Sequence, residues 1–274
     1  MSSSLSAELG ANLHPLRFLI EIQGQTLLGS RPMVITTPFH DRTQAGKLLA
    51  DAVKSSVHGD AVVIGLPRGG VPVAAEVATE CRAPLDVYLV RKIGTPGQKE
   101  LASGAIASGG VVVWNRRVLQ ALGLTPGDLR ETVEVEEAEI RRREQLIRSA
   151  LTPALALTGK TVVLVDDGVA TGATMRAAIR AIKQSSPKEI VVALPVAPED
   201  TCAEFEHGEK VKVVCLKRVA SELFGSVGQW YDDFSQVETE ECRAILERNR
   251  AGLPKGVAVT TAPPASHVQS PRPL

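Results

Sequence analysis

The stretch Val162-Val163-Leu164-Val165-Asp166-Asp167-Gly168-Val169-Ala170-Thr171-Gly172-Ala173-Thr174 decides the fold. Its apolar opening predicts a strand over Thr161–Val165 that is covered on both faces. The strand runs into two adjacent carboxylates, and a loop of small and hydroxyl-bearing residues then opens a helix predicted over Gly172–Lys183. Strand, turn and helix in that order form half of a parallel β-α-β unit, and in open sheets of this kind ligands sit beyond the carboxyl ends of the strands. Asp166 and Asp167 fall at such an end.

The chemistry of the turn is specific. Thr171–Thr174 offers backbone N–H groups, two hydroxyls and the positive end of a helix dipole, which together suit a phosphate. Two carboxylates just upstream can accept hydrogen bonds from a pair of sugar hydroxyls. A phosphate at one end and a diol at the other describe a ribose 5-phosphate. The competing reading, in which the acids only cap a helix, needs one short polar residue and leaves the second acid as repulsion without gain. Two other phosphate loops are absent: Gly168 has no downstream lysine for a GxxxxGK[ST] pattern, and no GxGxxG follows a strand.

On either side of this segment strands and helices alternate. Helices are predicted over Asp41–Ser55, Val71–Cys81, Asp128–Leu151 and Glu238–Asn249, and strands over Ala61–Leu66, Leu85–Ile93, Ala105–Trp114, Glu189–Val196 and Val211–Leu216. The expected fold class is α/β, a mostly parallel sheet with helices on both faces. Gly94–Gly104 is rich in chain breakers and reads as a loop. The helix over Asp128–Leu151 carries acids early and arginines late, which suits its dipole. Its narrow apolar stripe predicts a solvated face or, along the stripe, a homodimer contact.

Composition narrows the classes. Apolar residues make up 44% of the 274 and aromatics only 3%, so the core is built from Val, Ala, Leu and Ile. The 31 basic and 31 acidic side chains cancel, so no global field favours nucleic acid or an anionic membrane. Cys81, Cys202, Cys215 and Cys242 show no CxxC spacing and the five histidines are scattered, which predicts reduced thiols in a cytoplasmic protein and no zinc site. No apolar run approaches the ~20 residues of a membrane span.

Val162–Thr174 resembles the motif with which type I phosphoribosyltransferases bind 5-phosphoribosyl-1-pyrophosphate (PRPP): hydrophobics, Asp-Asp, three residues, then Thr-Gly-x-Thr. The likeness extends over roughly Phe39–Arg250, most closely to a little-characterised bacterial branch sharing Asp-Arg-x-x-Ala-Gly, here Asp41–Gly46. It implies that Asp166, Asp167, Gly168, Val169, Ala170, Thr171, Gly172, Ala173 and Thr174 bind PRPP. Pro67, Arg68, Gly69 and Gly70 stand where the family places its pyrophosphate loop, and Arg91 and Lys92 resemble the basic pair ending the next strand. Asp166, Asp167, Lys92 and Arg68 are the implied catalytic residues, with Mg²⁺ held through substrate oxygens and water. Gly94–Gly104 falls where such enzymes carry a mobile loop, in which Glu100 is an acid–base substitute or a solvated carboxylate.

Ala170 stands where hypoxanthine- and guanine-type enzymes place an aspartate, so the motif is closer to adenine- and orotate-type patterns. The acceptor is expected to be a nitrogen base. Phe224, Trp230 and Tyr231 lie in an aromatic-rich segment, Phe224–Phe234, that reads either as a stacking surface for that base in a small hood or C-terminal subregion, or as a satellite of the core. The second functional reading is a PRPP-sensing regulatory protein with little turnover. Met1–Pro32 reads as a short strand or arm near Phe18–Ile22, or as an extension upstream of a start at Met33. The transferase-like domain is expected over 33–252. The proline-rich Leu253–Leu274 reads as a disordered tail or the beginning of a linker to a further domain.

Overall fold

A computed structural model of the chain describes residues 37–57, 59–148 and 154–253. The readings of Met1–Pro32, and of the tail beyond Leu253, lie outside the described residues.

In chain order the elements are α1 (Arg42–Lys54), β1 (Ala61–Gly65), α2 (Gly70–Cys81), β2 (Leu85–Val87), β3 (Val90–Thr95), β4 (Gln98–Ala107), β5 (Val111–Trp114), α3 (Arg116–Leu122), α4 (Arg130–Ile147), β6 (Thr161–Val165), α5 (Ala173–Lys183), β7 (Glu189–Pro198), α6 (Glu199–Ala203), β8 (Lys212–Val219) and α7 (Thr239–Gly252). Five strands form one parallel sheet in the order β2-β1-β6-β7-β8. The expected mostly parallel α/β architecture is therefore present.

Every residue of β1 and β6 is buried, as apolar strands covered on both faces require. Alternation along β1 sorts its side chains between two cores. Ala61 and Val63 join α1, α2, α4 and α7, whereas Val62 and Ile64 join α5. The sheet is thus the middle layer of three.

The region after β2 departs from expectation. The strand predicted over Leu85–Ile93 divides at Tyr88–Leu89 into β2 of the parallel sheet and β3 of a separate antiparallel sheet, β3-β4-β5. The division is pinned by Ser108, whose Oγ accepts from the Leu89 N–H at 2.8 Å and whose own N–H donates to the Leu89 carbonyl at 2.9 Å. Gly94–Gly104, read as a loop, is instead the tip of the β3–β4 hairpin. Two of its polar residues meet inside it: the Thr95 hydroxyl donates to the Leu101 carbonyl at 2.9 Å and lies 2.7 Å from the buried Ser103 hydroxyl. Gly104 is required for packing rather than turning, because a Cβ there would lie 2.7 Å from the Val113 carbonyl oxygen of β5.

The long charged helix ends earlier than its pattern suggested. Arg148 leaves the helix to bind Asp86 Oδ1 at 2.8 Å and the Val87 carbonyl at 2.6 Å, fastening the end of α4 to β2. Both α3 and α6 were missed by sequence periodicity because each is shorter than two full turns of readable pattern.

Candidate functional site

The site is assembled at the carboxyl ends of β1 and β6, neighbours in the sheet. The turn after β6 carries Asp166 and Asp167; the turn after β1 carries Pro67, Arg68, Gly69 and Gly70, and the Pro67–Arg68 peptide is cis. The two turns touch. A Cβ at Gly69 would lie 2.0 Å from Asp167 Oδ2, and one at Gly70 would lie 2.8 Å from the Asp166 Cα. Only residues without a side chain allow this approach.

The acids differ in their surroundings. Asp167 is buried and its Oδ2 accepts from Arg42 Nε at 2.7 Å, in an ion pair whose side chains are both about nine-tenths buried. Asp166 retains some accessible surface, and its Oδ1 accepts from the Asp167 N–H at 2.9 Å. Burial, reinforced by the charge on Asp167, holds the Asp166 carboxyl well above the ordinary range. Burial also raises Asp167, but Arg42 opposes it. Of the two, Asp166 is thus the carboxyl whose charged form is the more disfavoured, and Asp167 is the one with a cation beside it.

Arg42 was given no role by sequence reasoning, and Tyr231, read as a stacking residue or a satellite of the core, was not expected to contact the acid turn. Arg42 also donates to the Ser235 carbonyl at 2.8 Å and lies 4.0 Å from the Phe234 ring centroid. It was visible as the second residue of Asp41–Gly46, but nothing local paired it with an acid 125 residues away. The rest of that motif is structural: Asp41 accepts from the Gln44 N–H and caps α1, and Gly46 lets α1 approach α2, where a Cβ would lie 2.9 Å from Glu76 Cγ. The Tyr231 hydroxyl donates to the Asp167 carbonyl at 2.5 Å.

The aromatic segment is accordingly divided. Tyr231 is a core residue that fixes the acid turn, packed on Phe39 with a ring-centroid distance of 5.4 Å. Phe224 and Trp230 stack on each other at 6.3 Å and are half-buried. The Trp230 Nε1 is buried without a hydrogen-bond partner among the described residues. Val227 of the same segment covers Gly168, where a Cβ would lie 2.6 Å from its Cγ1.

Below the acids, Gly172 takes a left-handed conformation (φ 66°) and α5 begins at Ala173 without a side-chain cap. Thr171, Ala173 and Thr174 are exposed, while Val169 and Gly172 are buried. The first N–H groups of α5 have no carbonyl of their own helix to bind. α6 and the segment after it support this turn: Thr201 of α6 donates to the Ala170 carbonyl at 3.0 Å, and a Cβ at Gly172 would lie 2.7 Å from Cζ of Phe205, just beyond α6.

A cavity of about 420 Å³, which the acids do not themselves line, is lined by Pro67, Arg68, Arg91, Thr174 and two arginines of α4, Arg142 and Arg143, together with apolar residues that include Tyr88 and Leu146. Arg68 and Arg91 are brought together here. Lys92 is not among the lining residues; it is exposed on β3, where alternation turns it to the face opposite Arg91. The backbone of Glu100 lies in β4. Among the described residues no three His, Cys, Asp or Glu side chains converge to hold a metal ion, and no helix is long and apolar enough to cross a membrane.

A three-layer α/β fold with an acid pair, a glycine turn and an uncapped helix start defines an α/β protein whose candidate site lies at the carboxyl ends of two adjacent inner strands. The phosphoribosyl transferase domain model matches residues 41–229, and the chain belongs to that family. Two Mycobacterium tuberculosis proteins, of strains CDC 1551 and H37Rv and provisionally named phosphoribosyl transferases, are each 41% identical over 224 residues, which is 82% of this chain and 50% of theirs. The chain thus spans about half the length of the curated relatives it matches. The crystal structure of TT1426 from Thermus thermophilus is 39% identical, covers 77% of this chain and 99% of that one, and superposes with a TM-score of 0.67.

Proposed function

We propose that this chain binds PRPP and transfers its ribose 5-phosphate to a nitrogen acceptor, releasing pyrophosphate. The observation that carries the reading is the contact between the two turns: an acid pair, of which Asp167 is buried, lies against a side-chain-free Gly69-Gly70 turn, one turn of chain away from an open helix start. The α5 start with Thr171 and Thr174 takes the 5-phosphate, the acids take the ribose hydroxyls, and the Pro67–Gly70 turn with Arg91 takes the diphosphate. These three subsites are ordered as the three parts of PRPP are.

In the reaction the bond between the anomeric carbon and the diphosphate oxygen breaks and a bond to the acceptor nitrogen forms. The electron pair leaves with pyrophosphate. Arg68, Arg91 and backbone N–H groups stabilise that leaving charge, and the carboxylate of Asp167 adds negative potential beside the cationic sugar. Lys92, exposed on the far face of β3, is a weaker candidate for this role than Arg91. Phe224 and Trp230 are placed to present an aromatic face to a planar acceptor, and Ala170 leaves out the acid that 6-oxopurine enzymes use. Mg²⁺ would be held through the ligand's own oxygens and water rather than by a protein cage, and would neutralise diphosphate charge when bound.

The test is a panel of nucleobases, each incubated with PRPP and Mg²⁺ and scored for pyrophosphate release. The reading predicts release with at least one, and with adenine or orotate before hypoxanthine. Tight PRPP binding with no release from any base would move the function to ligand sensing.

A further inference from the structure

The charged helix α4 was expected to be a solvated face or, along its stripe, a homodimer contact, yet two of its arginines line the cavity that Pro67, Arg68 and Thr174 also line. We propose that Arg142 and Arg143 bind the diphosphate of PRPP together with Arg68 and Arg91, so that α4 is part of the ligand site. This rests on the reading above and extends it to residues outside the family's sequence motifs.

Three features support it. First, the cavity is lined by arginines from three separate elements, the β1–α2 turn, β3 and α4, around one volume of about 420 Å³, ordinary for a small-ligand pocket. Planar guanidinium forks suit phosphate oxygens. Second, each arginine is held from behind by an acid that does not line the cavity. Arg142 and Arg143 both bind Glu139, Arg91 binds Glu136 and Arg68 meets Glu238 at 3.4 Å, so four guanidiniums face three carboxylates and the balance is positive. Glu139 takes Nε and one terminal nitrogen of Arg142 but only Nε of Arg143, which leaves donors for a ligand. Third, this end of α4 is rigid. Arg148 ties it to Asp86 and Val87, and Arg243 of α7 donates through Nε to the Leu146 carbonyl at 2.8 Å. A site on an anchored helix keeps its geometry without a ligand.

The experiment is calorimetric titration of the full chain and of the Arg142→Gln/Arg143→Gln variant with Mg²⁺-pyrophosphate, PRPP and ribose 5-phosphate. The expected result is a loss of about tenfold or more in affinity for pyrophosphate and PRPP, with ribose 5-phosphate held within about twofold. Arg143→Gln alone, which leaves the two-bond Arg142–Glu139 pair intact, reads the same selective loss should the double variant unfold. No change with any probe returns α4 to a solvated face and overturns the proposal, as does an equal loss for all three. Pyrophosphate that adds to PRPP binding instead of competing with it also overturns it, because the cavity then serves a different anion. The unmodified chain separates the two claims. Binding of ribose 5-phosphate without pyrophosphate sinks this proposal alone; binding of pyrophosphate without ribose 5-phosphate sinks the transferase reading alone.

Discussion

Asp166 and Asp167 are adjacent in sequence and opposite in behaviour, because only Asp167 has a cation. Replacing Asp167 by Asn leaves the Arg42 guanidinium buried without its partner, a loss expected to cost about 3–5 kcal/mol. Replacing Asp166 by Asn removes a carboxyl whose ionised form is disfavoured by burial and by Asp167. The sign of its pH dependence follows from where the proton resides. Between about pH 4, where an unfolded aspartate titrates, and the raised value in the fold, the folded chain holds a proton that the unfolded chain lacks. Stability therefore falls as pH rises through that window, and Asp166→Asn escapes the fall. Melting curves from pH 4 to pH 8 should show Asp166→Asn at or above the unmodified protein at neutral pH, with the advantage fading toward pH 4, and Asp167→Asn well below it. Equal destabilisation by the two variants would contradict the difference between the two carboxyls.

Between elements, the critical spacing is that of the β1–α2 turn against the β6–α5 turn. Gly69→Ala would drive a methyl to 2.0 Å from an Asp167 oxygen that Arg42 holds in place, so neither side can yield cheaply. The expected effect is a loss of about 1–3 kcal/mol in stability by overpacking, with loss of PRPP binding. Gly208→Ala, where nothing lies within 4 Å of the added methyl, is the control and should leave both unchanged. Chemical denaturation and ligand titration of the two variants decide the matter. This level also marks how far the sequence could be read. The parallel sheet was legible because β1 and β6 are unbroken apolar runs followed by polar turns, and a local pattern suffices to recognise them. The β3–β4 hairpin was not, because Gly94, Pro96, Gly97 and Gly104 look like loop chemistry until the Thr95–Ser103 contact and the close approach of β5 give them a strand's partners. Arg42–Asp167 and Tyr231–Asp167 were illegible for the same reason: each joins residues 64 or more positions apart, and nothing in a local window announces the pairing.

At the scale of the molecule, the segments that frame the site come from both ends of the described chain. Phe39 pairs with Tyr231 as a parallel bridge, its N–H donating to the Trp230 carbonyl at 2.8 Å, while Arg42 one turn later reaches Asp167. Occupancy of the site should accordingly stabilise the whole fold, and this gives the most direct test of the central claim. A ligand that binds only the folded state contributes about 2.7 kcal/mol at a hundredfold excess over its Kd. For a domain of this size that raises Tm by roughly 5–10 °C. The measurement is the Tm of the unmodified chain and of Asp166→Ala, which removes both carboxyl oxygens, each with and without PRPP and Mg²⁺. The account predicts a shift of that size in the unmodified chain, and a shift largely lost in Asp166→Ala. A full shift retained in Asp166→Ala, or none in the unmodified chain at millimolar PRPP, would contradict it.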